Sequence, residues 1–552
     1  MLAVTYRPVH LIFHLTWIAA FCGYFAWMMT HHLDTFPGLH GDEAWFGLNG
    51  IKFMSGGANS LNGMNWYTGS LYSLSLAGIF NQFGADVFYL RILTVVANVI
   101  GACLMAIVLF TLFGPRCAFV ALCLLGSSLY FLWYARVAWE VCTFNFLLLV
   151  MILSIILIIL RFRSELIKTK WHFWSLLLFC LFWLGCFNHL IFVCVPLTLV
   201  VASILYATFQ PTPSCIRLAS LMTFGSLLSS ILLLKRFVPG LLVEEHSGIA
   251  FALFFAFPVV WELLYWCMEP FVLRMTRKII EQIESFITWI TARLFLSIPQ
   301  RKKWGVRLLV VVAVGPFVVD HGRAFFGILS NLAVMKRFVS LQPATIVSLL
   351  SWSFGALILF FLVFSIAKAW HAFRAGTIGT EAYGFLVLWF IVSFPLLPMI
   401  LRGNSLRYYW LPLFLLIMVG AVGISYIMRN MKVQWMGVFL VPVLIFGIIS
   451  FSEIERTVPR PPIHFSLGFT EETSEHFLPI TPLASRLQHD NCCTLDNTSY
   501  FIDKPIGFLF ASNPWPCDRN KRYKVEYCQL CEEDGFFRIS VNQQGPAPEQ
   551  LQ

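Results

Sequence analysis

Long apolar runs separated by short polar connections make up most of the chain. Runs able to cross a hydrocarbon layer of about 30 Å fall near 11–30, 87–113, 117–133, 141–160, 172–187, 190–207, 218–234, 248–270, 308–320, 346–367, 382–400, 409–428 and 433–450. This pattern predicts an all-α polytopic membrane protein of about thirteen spans. No small-residue cleavage site follows the first run, which is read as a retained span. Three stretches depart from the pattern. In the loop 31–86, "HGDEAWFGLNGIKFMSGG" and "GMNWYTGSLYSLSLAGIFNQFG" repeat apolar and aromatic residues at helical spacing, predicting short amphipathic helices along an interface. Segment 274–307 interleaves basic, acidic and apolar residues, predicting an amphipathic helix lying on the membrane surface. After about residue 451 a proline-rich exit, "RTVPRPPIHF", leads into a polar tail in which "KRYKVEYCQL" and "FFRISVN" read as strands. The predicted organisation is therefore a membrane domain over 1–450 and a small α+β or mainly β domain over 451–552.

Composition agrees: 59% of residues are hydrophobic and 12% charged, with a mean hydropathy of +0.77, which excludes a soluble globular domain. The net charge of +10 is dispersed through short segments and forms no basic stripe, so it argues against nucleic acid as a partner. Lysine and arginine concentrate at 161–170, 274–307 and 429–432, which predicts a cytoplasmic N-terminus and an extracytoplasmic tail. The loop containing Asp42 and Glu43 then faces outside as well. Cys492, Cys493, Cys517, Cys528 and Cys531 lie in the tail, where an oxidising compartment favours disulfides. Five cannot all pair within one chain, and Cys528 with Cys531 also has the spacing of a zinc-ligand pair.

Charge is costly beside a membrane, so the consecutive acids Asp42 and Glu43 draw attention. A carboxylate held at the start of an interfacial helix, facing a cavity, suits either a general base or a divalent-metal ligand. Arg136 and Glu140 in "YARVAWEVC" stand one helical turn apart in the next outer turn. Arg402 and Arg407 in "LRGNSLRYYWLPLF" present planar donor forks suited to phosphate oxygens. His40, Tyr67, His189 in "CFNHLIF", His321 in "VDHGRAFFG" and Tyr408 map to the same side as candidate lining residues.

Taken together, "DEAWFG", "YARVAWE" and "RYYWLPL" resemble the GT-C superfamily of integral-membrane glycosyltransferases, over roughly residues 1–450 and most strongly in the first 150. The nearest group is that of the protein O-mannosyltransferases and the lipid A aminoarabinose transferases. The resemblance implies a sugar donor on a polyprenyl or dolichyl phosphate, a lipid, glycan or protein acceptor, transfer at the extracytoplasmic face and inversion at the anomeric carbon. It implies Asp42 as general base, Glu43 as a helper or metal contact, and Glu140 completing the acidic site. Arg136, Arg402 and Arg407 would hold the donor phosphate, and a divalent ion such as Mg or Mn would bind at Asp42 and Glu43. Where aminoarabinose transferases carry a lysine followed by two prolines, this chain has "MNWYTGSLY", and no large insert follows Asp320. The expectation is thus an enzyme of a bacterial inner membrane, with the sugar left open. The competing class is a transporter or lipid-linked sugar flippase, which would bury ionisable residues within its spans; Glu262, in the eighth apolar run, is such a residue.

Overall fold

A computed structural model describes residues 8–35, 38–56, 63–65, 67–161, 166–237, 248–294, 364, 381–401, 410–427, 477–478, 480–491, 494–496, 500–516, 522–527 and 537–541. It is mostly helical. The expected runs at 308–320 and 433–450, and all of 346–367 except Phe364, lie outside the described residues.

Helix α1 (Pro8–Thr30) leads through a short turn to strand β1 (Leu39–His40), which passes directly into α2 (Gly41–Met54). Helices α3 (Leu71–Phe83) and α4 (Val87–Phe113) follow, then α5 (Pro115–Ser127), α6 (Leu129–Tyr134), α7 (Glu140–Arg161) and α8 (Leu166–Asn188). A 3-10 turn (Leu190–Val193) joins α8 to α9 (Cys194–Phe209), followed by α10 (Pro213–Phe237) and α11 (Gly248–Leu294). The later described helices are α12 (Glu381–Leu401) and α13 (Trp410–Ile427). Among the described residues six stretches are long and apolar enough to cross a membrane: Val87–Phe113, Glu140–Leu160, Trp171–Asn188, Leu190–Phe209, Pro213–Ile231 and Ala256–Trp289. The amphipathic helices expected in the first loop are α2 and α3, which pack against each other.

Local chemistry explains the breaks. Gly114, at φ +94°, ends α4 in a conformation that L side chains rarely adopt, and Pro115 opens α5 where its missing N–H costs nothing. The run expected as one span at 117–133 is divided at Ser128, whose hydroxyl accepts from the Phe131 amide and starts α6. By contrast, the apolar run at 248–270 and the charged stretch after it are one continuous helix of 47 residues, about 70 Å long at 1.5 Å per residue. The expected separate surface helix is corrected accordingly: after Gly248 the segment has no glycine to form a C-cap, and Pro258 and Pro270 do not end the helix.

In the tail, β2 (Phe477–Leu478) pairs antiparallel with β1, opposing His40 to Phe477. Helix α14 (Ile480–His489) and α15 (Tyr500–Ser512) enclose a small cluster of Leu483, Leu487, Ile502, Ile506 and Trp515. Strands β3 (Thr494–Asp496), β4 (Arg522–Tyr527) and β5 (Phe537–Val541) form a sheet in that order, β3 parallel and β5 antiparallel to β4.

Candidate active site

His40 is the N-cap of α2. Its backbone is extended, its Nδ1 accepts the Asp42 N–H at 3.0 Å, and its own N–H donates to Glu43 Oε2 at 3.0 Å. Because Nδ1 is an acceptor here, the ring proton sits on Nε2, and the 3.8 Å approach of Nδ1 to Asp42 Oδ2 is not an ion pair. Asp42, 19% exposed at its side chain, occupies the first turn of α2, where unsatisfied backbone N–H groups favour negative charge.

Glu43 turns the other way. Its side chain is fully buried, and each oxygen takes two hydrogen bonds: Oε1 from Arg91 Nε (2.9 Å) and the Ala138 amide (2.7 Å), Oε2 from Arg91 Nη2 (2.8 Å) and the His40 amide (3.0 Å). Arg91 also donates to the carbonyls of Leu33 and Gly38, both at 3.0 Å. One carboxylate therefore ties α2, α4 and the turn before α7 together. These hydrogen bonds occupy the about four lone-pair positions of the Glu43 carboxylate. Among the described residues no group of three or more His, Cys, Asp or Glu side chains could hold a metal ion. With Glu43 committed in this way, the Asp42–Glu43 pair does not fit a divalent ion.

Arg136 is likewise turned inward. It is fully buried and donates to the carbonyls of Met28 and His31 at the C-terminal end of α1, where helical carbonyls lack partners. Arg136 thereby ties the turn before α7 to the end of α1.

Glu140 opens α7 and is almost fully buried. Its Oε1 lies 3.7 Å from His189 Nε2. His189 caps the 3-10 turn, its Nδ1 accepting the Ile191 amide at 3.0 Å, so Nε2 carries the proton and points it toward Glu140. The adjacent Asn188 donates to the Glu140 carbonyl (2.8 Å) and to Asn145 Oδ1 (3.1 Å). Tyr67 packs its ring 5.2 Å from that of His189, and Thr68 and His189 form an isolated antiparallel bridge. The two acidic regions meet through rings: His40 lies edge-on to Trp139, the neighbour of Glu140, at 4.9 Å and 88°. Asp42, His40, Glu140, His189 and Tyr67 thus gather at one end of the helices. Arg402, Arg407, Tyr408 and His321 lie outside the described residues.

Close to Trp139 is a small pocket of about 20 Å³, room for a water-sized group, lined mainly by Asn98, Phe131, Tyr134, Phe146, Trp410 and Phe414. Its walls are aromatic, and Tyr134 also packs 5.8 Å from Trp139. Nearby, burial raises the Tyr72 phenol above its ordinary pKa, so it stays protonated while donating to the Leu90 carbonyl at 3.1 Å.

Sequence reasoning passed over Arg91, Asn188 and Trp139. Arg91 carried a usable signal: a lone cation in an apolar helix must find an anion, and the carboxylates before it are Asp34, the "DE" pair and Asp86, the last of which caps the same helix.

No protein-family profile matches the chain, and no curated protein sequence does. Among solved structures, the chain is similar to the archaeal oligosaccharyltransferase AglB from Archaeoglobus fulgidus in complex with an inhibitory peptide and a dolichol-phosphate. Identity there is 12%, the TM-score is 0.47, and the alignment covers 91% of this chain and 61% of that one. A second structure of the Archaeoglobus fulgidus oligosaccharyltransferase, complexed with Zn and sulfate, aligns at 13% identity and a TM-score of 0.46, covering 78% of this chain and 53% of that one. The chain thus spans less than two thirds of that oligosaccharyltransferase. Apo ArnT from Cupriavidus metallidurans aligns at 11% identity and a TM-score of 0.39, covering 97% of this chain and 99% of that one.

Proposed function

We propose that this chain is a membrane glycosyltransferase that moves a sugar from a polyprenyl-phosphate donor to an acceptor hydroxyl, with Asp42 as the general base. The observation that carries this reading is the division of labour within the acidic pair. Glu43 is locked into the scaffold, while Asp42 is left partly exposed in the first turn of the same helix, next to His40, whose ring meets Trp139, the neighbour of Glu140. A base must reach substrate and stay ionised, and a helix N-terminus supports both.

In the proposed reaction the acceptor oxygen attacks the anomeric carbon from the face opposite the leaving group, which inverts the configuration. The acceptor proton passes to the Asp42 carboxylate as the new C–O bond forms. The bond between the anomeric carbon and the phosphate oxygen breaks, and its electron pair leaves on the lipid phosphate. That charge needs oriented donors. Arg402 and Arg407 remain the proposed cations for it, and His189 Nε2–H with Glu140 would orient the sugar or the acceptor.

A transporter would use its buried membrane charges to bind cargo. Here Glu262 is engaged within the bundle, accepting from Ser175 Oγ at 2.6 Å and lying 3.1 Å from His172 Nδ1, with His172 half exposed. The enzyme reading is therefore favoured. To test it, the purified protein is incubated with a panel of polyprenyl-phosphate sugars and the released lipid phosphate is measured by mass spectrometry. Release from at least one donor, dependent on acceptor, supports the reading; no release from any donor overturns the donor class.

A further inference from the structure

The tail holds the helix that carries Asp42 at two separate points. At the first, β2 pairs with β1 so that Phe477 opposes His40, the residue whose ring accepts the Asp42 amide. At the second, α15 lies along α2, and Phe508 is fully buried against it. The fit there is close: a Cβ added to Gly47 would stand 2.4 Å from the Phe508 ring, nearer than Cβ atoms approach other groups. Only glycine leaves room for that ring. On its far side Phe508 meets Phe80 of α3 at 6.2 Å, so one side chain fills the corner between the two interfacial helices.

These contacts bear on the site because α2 is short and its active end is its first turn. A helix of 14 residues, held by packing and not by its own length, takes its position from its neighbours. Three of those neighbours fix α2: the Glu43–Arg91 pair from α4, the face of α3, and the tail. Of the three, the tail alone grips both the N-cap backbone and the middle of the helix.

We infer that β2 and α15 are part of the active-site scaffold and that Phe508 is a positioning residue for Asp42, acting through Gly47 and α2. This inference rests on the reading of Asp42 as base only for its kinetic consequence. Its structural content stands apart: α2 and α15 open and close as one unit.

The test has two arms. In the unmodified protein, hydrogen exchange of residues 40–46 and 505–510 is followed by mass spectrometry. The inference expects both segments to open with the same free energy, as one cooperative unit; a tail exchanging far faster than α2 overturns it. In the second arm Phe508→Ala and Phe508→Leu are compared. Phe508→Ala is expected to lower kcat by about tenfold with KM nearly unchanged, to speed exchange at 40–46 selectively, and to be largely rescued by Phe508→Leu. Unchanged kcat, or acceleration spread equally over α4 and α7, overturns the positioning role. If the exchange results hold while Asp42→Asn retains full activity, the coupling stands and the catalytic reading fails.

Discussion

Arg91 meets Glu43 through two parallel hydrogen bonds, Nε to Oε1 at 2.9 Å and Nη2 to Oε2 at 2.8 Å, and neither side chain is exposed to solvent. The pair bridges 48 positions of sequence and joins the interfacial helix α2 to the membrane helix α4. Its geometry makes it a strut, and it separates the task of Glu43 from that of Asp42.

The strut gives the first prediction. Removing one member leaves the other charge buried and unpaired, at a cost of about 3–5 kcal/mol. Arg91→Met and Glu43→Gln should both lower the thermal unfolding midpoint in detergent markedly. A double variant in which both partners become apolar should recover part of the loss. Near wild-type stability in Arg91→Met would remove Glu43 from the scaffold.

Arg136 gives a second. Its donors cap carbonyls at the end of α1, so Arg136→Met should destabilise the fold by about 1–3 kcal/mol. The KM for lipid-phosphate donor, measured on the folded fraction, should stay close to wild type. A large rise in KM with unchanged stability would return Arg136 to the phosphate site.

A third concerns the second acid. Glu140 faces the protonated nitrogen of His189 at 3.7 Å, and Glu140→Gln keeps the shape while removing the charge. Turnover is expected to fall by about tenfold or more with folding preserved, read as kcat at saturating donor. Wild-type turnover would make the Glu140–His189 contact purely structural.

What the sequence revealed follows the range of its signals. Apolar runs and the amphipathic helices after Asp42 are local signals, and they were legible. Asp42, Glu140 and His189 stand out as candidates because polar residues at the ends of apolar runs are conspicuous. The partners of Glu43 and Arg136 were not legible because they are distant in sequence: Arg91 is 48 positions from Glu43, and the Met28 carbonyl 108 from Arg136. An adjacent pair of acids looks like one site, yet neighbours on a helix point in different directions. The docking of Phe508 on Gly47 had no sequence signal, since glycine in a helix is more often a weakness than a seat for a ring. The continuity of α11 was hidden by a change from apolar to charged composition, which alters a helix's surroundings without ending it.

The most direct measurement is sugar transfer by Asp42→Asn, using purified protein, a polyprenyl-phosphate sugar donor and a thermal unfolding scan of the same sample. Loss of a positioned base is expected to reduce kcat by about 10²–10⁴-fold. Asn matches Asp in shape and is equally favoured at a helix start, so the unfolding midpoint should change little. Full turnover by a folded Asp42→Asn protein would contradict the assignment of Asp42 as the catalytic base.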